Sequence, residues 1–65
     1  MRNDLAERRQ VRGWSQARLA DELGVSRQTV ISLEKGRFDP SLPLAFRIAA
    51  LFDCRIEDVF VPDGD

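Results

Sequence analysis

Residues 16–36 read QARLADELGVSRQTVISLEKG, and this stretch decides the fold. Leu19, Ala20 and Leu23 lie three and four residues apart, which is the spacing of one apolar helix face. Gly24 follows where that helix must stop, because a left-handed residue after the last turn suits glycine best. The first half of the stretch therefore predicts a short helix that ends in a sharp turn.

A second short helix is predicted directly after this turn. Ser26 can cap it by accepting its free backbone N–H groups. Val30 and Leu33 then return one apolar stripe to the first helix, and Ala20 is small enough to let the two helices cross closely. The pattern predicts a helix-turn-helix, a motif whose second helix enters the major groove of DNA.

Length and composition limit the class of protein. The chain has 65 residues, which is enough for one domain with a small core but not for a deep catalytic cleft. It has no histidine and one cysteine, so no disulfide can form within it, and we expect neither a metal site nor a cofactor. No apolar stretch approaches the roughly 18 residues of a membrane span, and no signal-peptide pattern is present. We therefore expect a cytoplasmic protein without a membrane partner.

Charge is distributed unevenly along the chain, although the net charge is only −1. Residues 1–52 hold nine Arg or Lys against six Asp or Glu, a local charge of +3. Residues 53–65 hold one Arg against five Asp or Glu, a local charge of −4. Since phosphate attraction follows local patches, and the basic part contains the two-helix motif, the overall acidity does not exclude DNA binding.

Five helices without a strand are predicted over a single domain spanning residues 1–65. The helix-turn-helix covers about residues 15–36, and the helices at 41–60 complete the core and supply a dimer contact. The expected helices are residues 3–12, a second between the Ser15 cap and Gly24, residues 27–35, a fourth from the Ser41 cap to residue 52, and residues 56–60.

The segment at residues 13–42, GWSQARLADELGVSRQTVISLEKGRFDPSL, resembles the phage repressor and Cro class of bacterial helix-turn-helix regulators, also called the XRE family. The likeness continues through LAFRIA and IEDVF, so it covers about residues 3–60. This resemblance implies an all-α, compact five-helix domain of the lambda-repressor-like type. It also implies binding to operator DNA as a homodimer, by a minimal single-domain member of the family.

Base-reading side chains are expected on one face of the third helix. Arg27 and Gln28 open that helix, and Ser32 lies one turn beyond Gln28. Arginine can donate twice to guanine, and glutamine can both donate to and accept from adenine. The resemblance places the base-reading residues at these positions, with Thr29 facing a base or a phosphate. The alternative is that these side chains form an ordinary solvated helix face.

Phosphate contacts are expected on both sides of the recognition helix. Gln16 begins the second helix, where its side chain and the free N–H groups suit an anion. The resemblance adds Lys35 and Arg37, which flank the turn at Gly36. Arg18 either contacts DNA or only solvates its helix. Diffuse charge is expected from Arg2, Arg8 and Arg12.

Arg9 and Glu34 form a further pair in the prediction. A glutamate late in the third helix is badly placed to contact DNA, because its charge repels phosphate. The resemblance implies that an arginine of the first helix pairs with this glutamate beneath the recognition helix, and Arg9 occupies the matching position. The alternative is two independent surface charges. Arg8 is a departure, since relatives often carry leucine there.

The fourth helix is apolar over more than one face, because Arg47 is its one charged residue between positions 42 and 52. We assign one stripe to the core: Leu42, Phe46, Ala49 and Phe52. We assign a second set to a homodimer interface: Leu44, Ile48, Leu51, Ile56, Val59 and Phe60. A symmetric dimer through these helices would place two recognition helices about 34 Å apart, as successive major grooves require.

Two function classes follow from these features. The first is a sequence-specific regulator of transcription, acting as a repressor or autoregulator on a palindromic operator. The alternative is a protein-interaction module, such as the antitoxin half of a toxin–antitoxin pair. The sequence has no nucleophile–base or paired-carboxylate arrangement, so we do not expect an enzyme, and it indicates no pocket for a small-molecule effector.

Overall fold

The computed structural model of the chain describes residues 1–37 and 39–62. Within them five helices lie between two very short strands, so the predicted five-helix architecture is confirmed. The elements are β1 (Arg2–Asn3), α1 (Leu5–Val11), α2 (Gln16–Leu23), α3 (Arg27–Glu34), α4 (Leu42–Leu51), α5 (Ile56–Val59) and β2 (Phe60–Val61).

Serine caps begin three of the helices as predicted. The hydroxyl oxygens of Ser15, Ser26 and Ser41 each accept the backbone N–H three residues later, at 3.0, 3.1 and 3.3 Å. Each serine has the extended backbone that an N-cap requires. The caps fix where α2, α3 and α4 start, so the first residues of α3 have a defined position.

Gly24 ends α2 in the left-handed conformation, with φ of 72°. The N–H of the next residue, Val25, donates to the carbonyl of Ala20 at 3.1 Å, which closes the last turn. The predicted sharp turn between α2 and α3 is confirmed. Leu19 and Leu23 on one side of it and Val30 on the other are buried, so the two helices share one core.

β1 and β2 were not expected from the sequence, and the prediction of no strand is wrong at these residues. Arg2 pairs with Val61 and Asn3 with Phe60 in an antiparallel register. A two-residue strand has no readable alternation of apolar and polar positions, so the pattern could not reveal it. The pairing starts α1 two residues later than predicted, and α5 ends one residue earlier, at Val59.

Arg8 joins α1 to α5. Its Nε donates to Asp4 Oδ1 at 2.8 Å, and its Nη2 donates to the backbone carbonyl of Asp58 at 3.3 Å. The hydrogen bond to the Asp4 carboxylate raises the pKa of Arg8 above its ordinary value. This arginine therefore replaces with polar contacts the packing that a leucine would provide.

The core lies between α2, α3 and α4 and is closed by Leu5 on one side and by α5 on the other. Within the described residues it consists of Leu5, Leu19, Ala20, Leu23, Val30, Leu33, Leu44, Ala45, Ile48, Phe52, Val59 and Phe60. Most of these residues belong to α2, α3 and α4.

The sequence prediction for the two apolar stripes of α4 is wrong at four of their residues. Leu44 and Ile48, assigned to a dimer interface, are only 6% and 0% exposed, because they face the core of their own chain. Leu42 and Phe46, assigned to the core, are 65% and 58% exposed. Both stripes have helical spacing, so periodicity alone could not show which one faces α2.

The rest of the predicted interface needs a similar correction. Val59 and Phe60 are buried within the chain, at 1% and 5% exposure. Leu51 and Ile56 are half-buried and pack against the core. Of the six residues assigned to the interface, these two alone keep part of their surface open. Ala49 and Phe52, assigned to the core, are buried as predicted.

Candidate nucleic-acid interface

The start of α3 presents two polar side chains to solvent. Arg27 and Gln28 are the first two residues after the Ser26 cap, and both are exposed. Within residues 1–37 and 39–62, neither side chain has a hydrogen bond or an ion pair. Since arginine and glutamine can each make two hydrogen bonds to a purine edge, these side chains are available for base contacts.

Thr29 and Ser32 are less accessible than these two residues. Thr29 is half-buried, and its hydroxyl lies 2.9 Å from the hydroxyl of Ser26. Ser32 is half-buried, and its carbonyl accepts the backbone N–H of Arg37 at 3.1 Å. The predicted base-reading side chains are therefore most exposed at the beginning of α3.

The turn after α3 carries the two cations predicted to bind phosphate. Lys35 and Arg37 are exposed on either side of Gly36, which has φ of 70°. Gly36 is also in close contact with the N-terminal segment, since an added Cβ would lie 2.8 Å from the carbonyl oxygen of Met1. Glycine is required here for both reasons.

Asn3 fixes the end of α3, a role that sequence reasoning missed. Its Nδ2 donates to the carbonyl of Leu33 at 2.8 Å, and its Oδ1 accepts the N–H of Leu5 at 3.0 Å. The amide thus joins the start of α1 to the last turn of the recognition helix. The two residues are 30 positions apart, so no local pattern pointed to the contact.

Arg9 and Glu34 are in contact beneath α3. Arg9 Nε donates to Glu34 Oε2 at 2.6 Å, and Arg9 Nη2 donates to Glu34 Oε1 at 3.2 Å. Their side chains are 13% and 7% exposed, so the pair is largely buried. Arg9 Nη1 also donates to the carbonyl of Trp14 at 2.9 Å. The structure brings together the two charges that the sequence analysis paired. Through the Trp14 carbonyl, Arg9 also binds the turn before α2.

Gln16 is joined to the same network. Its Nε2 donates to Glu34 Oε1 at 3.1 Å, so one carboxylate holds side chains from both α1 and α2. Gln16 is half-buried and is the first residue of α2, where the free N–H groups of the helix lie. Glu34 therefore fixes the position of the first turn of α2 relative to the end of α3.

Aromatic and guanidinium groups stack at the corner between α1 and α2. The Arg12 Cζ lies 5.0 Å from the centroid of the Trp14 ring and 4.7 Å from that of Phe52. The Arg18 Cζ lies 4.9 Å from the Trp14 ring, and Arg18 Nε donates to Glu22 at 2.8 Å. The sequence analysis predicts only diffuse charge for Arg12, because the sequence does not show that Phe52 lies beside Trp14.

A family model for the helix-turn-helix matches residues 5–59, which is most of the chain. The chain belongs to the helix-turn-helix family of the Cro/C1, or XRE, type. This family is one of transcriptional regulators, so the resemblance found in residues 13–42 is confirmed.

Relatives of similar length align with the whole domain. The HTH-type transcriptional regulator MJ0272 of Methanocaldococcus jannaschii is 51% identical over 65 residues, which is all of this chain and 98% of the relative. An HTH-type transcriptional regulator of Methanothermobacter thermautotrophicus is 53% identical over 66 positions, which covers all of this chain and 96% of the relative. The HTH-type transcriptional regulator YgzD of Bacillus subtilis is 47% identical over 60 residues, 92% of this chain and 91% of the relative.

These relatives include archaeal as well as bacterial proteins, so the resemblance to bacterial regulators does not identify the chain as bacterial. Among residues 1–37 and 39–62, no helix combines the length and the apolar character needed to cross a membrane.

Proposed function

We propose that this helix-turn-helix protein is a sequence-specific, double-stranded DNA-binding repressor that occupies a palindromic operator as a homodimer in the cytoplasm. The observation that carries the proposal is the pair of exposed side chains, Arg27 and Gln28, at the capped start of α3, which have no partner among residues 1–37 and 39–62. Membership in a family of transcriptional regulators supports the same conclusion.

In this proposal α3 lies in the major groove and reads bases from its first turn. Arg27 donates to guanine O6 and N7, and Gln28 bonds to adenine N6 and N7. Ser32 reads a further base, and Thr29 contacts a base or a phosphate. The N-cap at Ser26 supports these roles, because it fixes the backbone from which the Arg27 and Gln28 side chains extend.

Phosphate contacts fix the register of the helix on DNA. We assign them to Gln16 at the start of α2 and to Lys35 and Arg37 after α3. The two regions are connected, because Glu34, the residue before Lys35, accepts a hydrogen bond from Gln16. A dimer bound in this way would repress by blocking access of RNA polymerase to a promoter that overlaps the operator.

The dimer contact that we propose is the α4–α5 face, which we define as Leu42, Phe46 and Ile56. Leu42 and Phe46 project into solvent, at 65% and 58% exposure. Two shallow grooves flank Ile56: one of about 230 Å³ beside Leu42, and one of about 270 Å³ beside Phe46.

A second copy of the chain is the occupant that suits this face. A two-fold interface must be self-complementary, and the face carries both projecting apolar side chains and grooves that can receive them. Arg55 and Glu57 line the second groove, so opposite charges of two copies can meet at the rim.

Phe46→Asp tests the dimer. It should convert a wild-type dimer into a folded monomer in sedimentation equilibrium at micromolar concentration, because it places a charge at the centre of the apolar contact. Val11→Asp is the matched control: Val11 is 88% exposed on α1, outside this face, and its change should leave the dimer intact. A monomeric wild type, or a Phe46→Asp variant that remains dimeric, would contradict the proposed contact.

Selection of bound sequences from a library of random duplexes tests the function. We expect one enriched palindrome whose half-sites lie about 10 base pairs apart, one turn of DNA between recognition helices. Binding without any enriched sequence, or no binding, would contradict the proposal. No binding would instead favour the antitoxin-type protein-interaction module.

A further inference from the structure

The Arg12 guanidinium lies over two adjacent aromatic rings at the corner between α1 and α2. Its guanidinium carbon lies 5.0 Å from the Trp14 ring centroid and 4.7 Å from the Phe52 ring centroid, and the two rings are 6.1 Å apart. Phe52 is buried and Trp14 is half-buried, so the rings form a platform that belongs to the folded core. The platform restricts the orientation of an otherwise flexible side chain.

The second observation concerns the hydrogen-bond donors of Arg12. Within the described part of the chain, its guanidinium has no hydrogen bond and no ion pair, and the residue is exposed. The neighbouring arginines differ in this respect, since Arg9 is bound to Glu34 and Arg18 to Glu22. A guanidinium that lies over aromatic rings can still donate its N–H groups, and their arrangement matches the geometry of a phosphate.

The platform is also attached to the proposed DNA-binding surface. Trp14 directly precedes the Ser15 cap of α2, and its carbonyl accepts a hydrogen bond from Arg9 at 2.9 Å. Arg9 in turn binds Glu34, the carboxylate that also holds Gln16. The hydrogen bonds among Arg9, Glu34 and Gln16 that position the first turn of α2 therefore also hold Trp14, the ring against which Arg12 lies.

We propose that Arg12 binds a backbone phosphate of the operator, next to the phosphate contacted by Gln16. The role rests on the proposed function, since it presupposes that the chain binds duplex DNA. It extends the interface from the helix-turn-helix to the end of α1. Trp14 and Phe52 act as positioning residues, because they hold the guanidinium without contacting DNA themselves.

The salt dependence of binding tests this contact. The probes are the duplex recovered by the selection and a mixed-sequence duplex of equal length, each titrated between 50 and 200 mM salt. Each phosphate contact adds about 0.9 to the slope of log affinity against log salt, so Arg12→Gln should lower the slope by about 1.8 for a dimer. Over this fourfold range of salt, the wild type should therefore lose about 12-fold more affinity than the variant. The selected base sequence should not change.

Two further variants make the result specific. Arg47→Gln removes the same charge from an exposed position on α4, so it should leave the slope nearly unchanged. Arg12→Lys should restore most of the slope, because it keeps the charge. If Arg12→Gln lowers the melting temperature while the slope stays at the wild-type value, the stack is only structural and the inference is wrong. If the wild type binds neither duplex, it is the proposed function that fails.

Discussion

Neutralising Glu34 should destabilise the domain strongly, because its carboxylate binds both Arg9 and Gln16 beneath α3. Glu34→Gln keeps the size of the side chain but removes the negative charge that faces Arg9. In the wild type this carboxylate accepts two hydrogen bonds from Arg9, at 2.6 and 3.2 Å, and one from Gln16, at 3.1 Å. The change leaves a largely buried arginine opposite a neutral amide.

The expected loss follows from burial. Removing one partner of a buried ion pair costs about 3–5 kcal/mol, because the other charge is left without compensation. The Arg9 side chain is still 13% exposed, and its bond to the Trp14 carbonyl remains, so we expect about 2–3 kcal/mol. A domain of 65 residues has a free energy of unfolding of about 3–10 kcal/mol. The melting temperature should therefore fall by about 10–20 °C.

Circular dichroism melts at one fixed protein concentration measure this loss. Glu22→Gln is the matched control, because Glu22 accepts a hydrogen bond from Arg18 at 2.8 Å but the pair is far more exposed. The control should cost less than about 1 kcal/mol. A double-mutant cycle of Glu34→Gln with Arg9→Met should give a coupling of at least about 1 kcal/mol. Equal losses for the two glutamates, or additive losses in the cycle, would refute the reasoning.

The remaining predictions concern base reading and a backbone position. Gln28→Ala should lose about 1–3 kcal/mol of discrimination at one base pair of each half-site, measured by competition among single-base operator variants. Lys35→Ala should weaken all those variants equally and lower the salt slope; a uniform loss in both proteins would remove Gln28 from the base-reading set. Asp53→Gly should raise the free energy of unfolding by about 0.5–1 kcal/mol, because Asp53 has φ of 54° at the end of α4. An unchanged or lower midpoint in urea would show that the aspartate is not strained there.

Local features of the fold could be predicted because their causes lie within a few residues. The Ser15, Ser26 and Ser41 caps need only the N–H three positions ahead, and Gly24 needs only its own freedom at positive φ. The pairing of Arg9 with Glu34 spans 25 positions, so the resemblance to a known family was needed to anticipate it.

Features that depend on distant parts of the chain were missed. Asn3 binds the Leu33 carbonyl near the end of α3 from its place in β1, which pairs with β2, and neither two-residue strand has a recognisable pattern. The stack of Arg12 likewise requires Phe52 to lie beside Trp14, although the two rings are 38 positions apart in the sequence. Both interactions involve polar groups whose surroundings are set by packing, which a single sequence does not display.

The fourth helix shows most clearly that the spacing of apolar residues does not reveal which face of a helix is buried. A helix that is apolar all round can turn either stripe toward the core, and the choice depends on which side chains fill the space beside α2 and α5. Leu44 and Ile48 fill that space, which leaves Leu42 and Phe46 in solvent. Exposed side chains of this size on one face need a cover more than the buried stripe does. The proposed dimer contact therefore moves by part of a helical turn, from Leu44 and Ile48 to the exposed Leu42 and Phe46. These two exposed side chains support the proposal that a second copy of the chain covers this face.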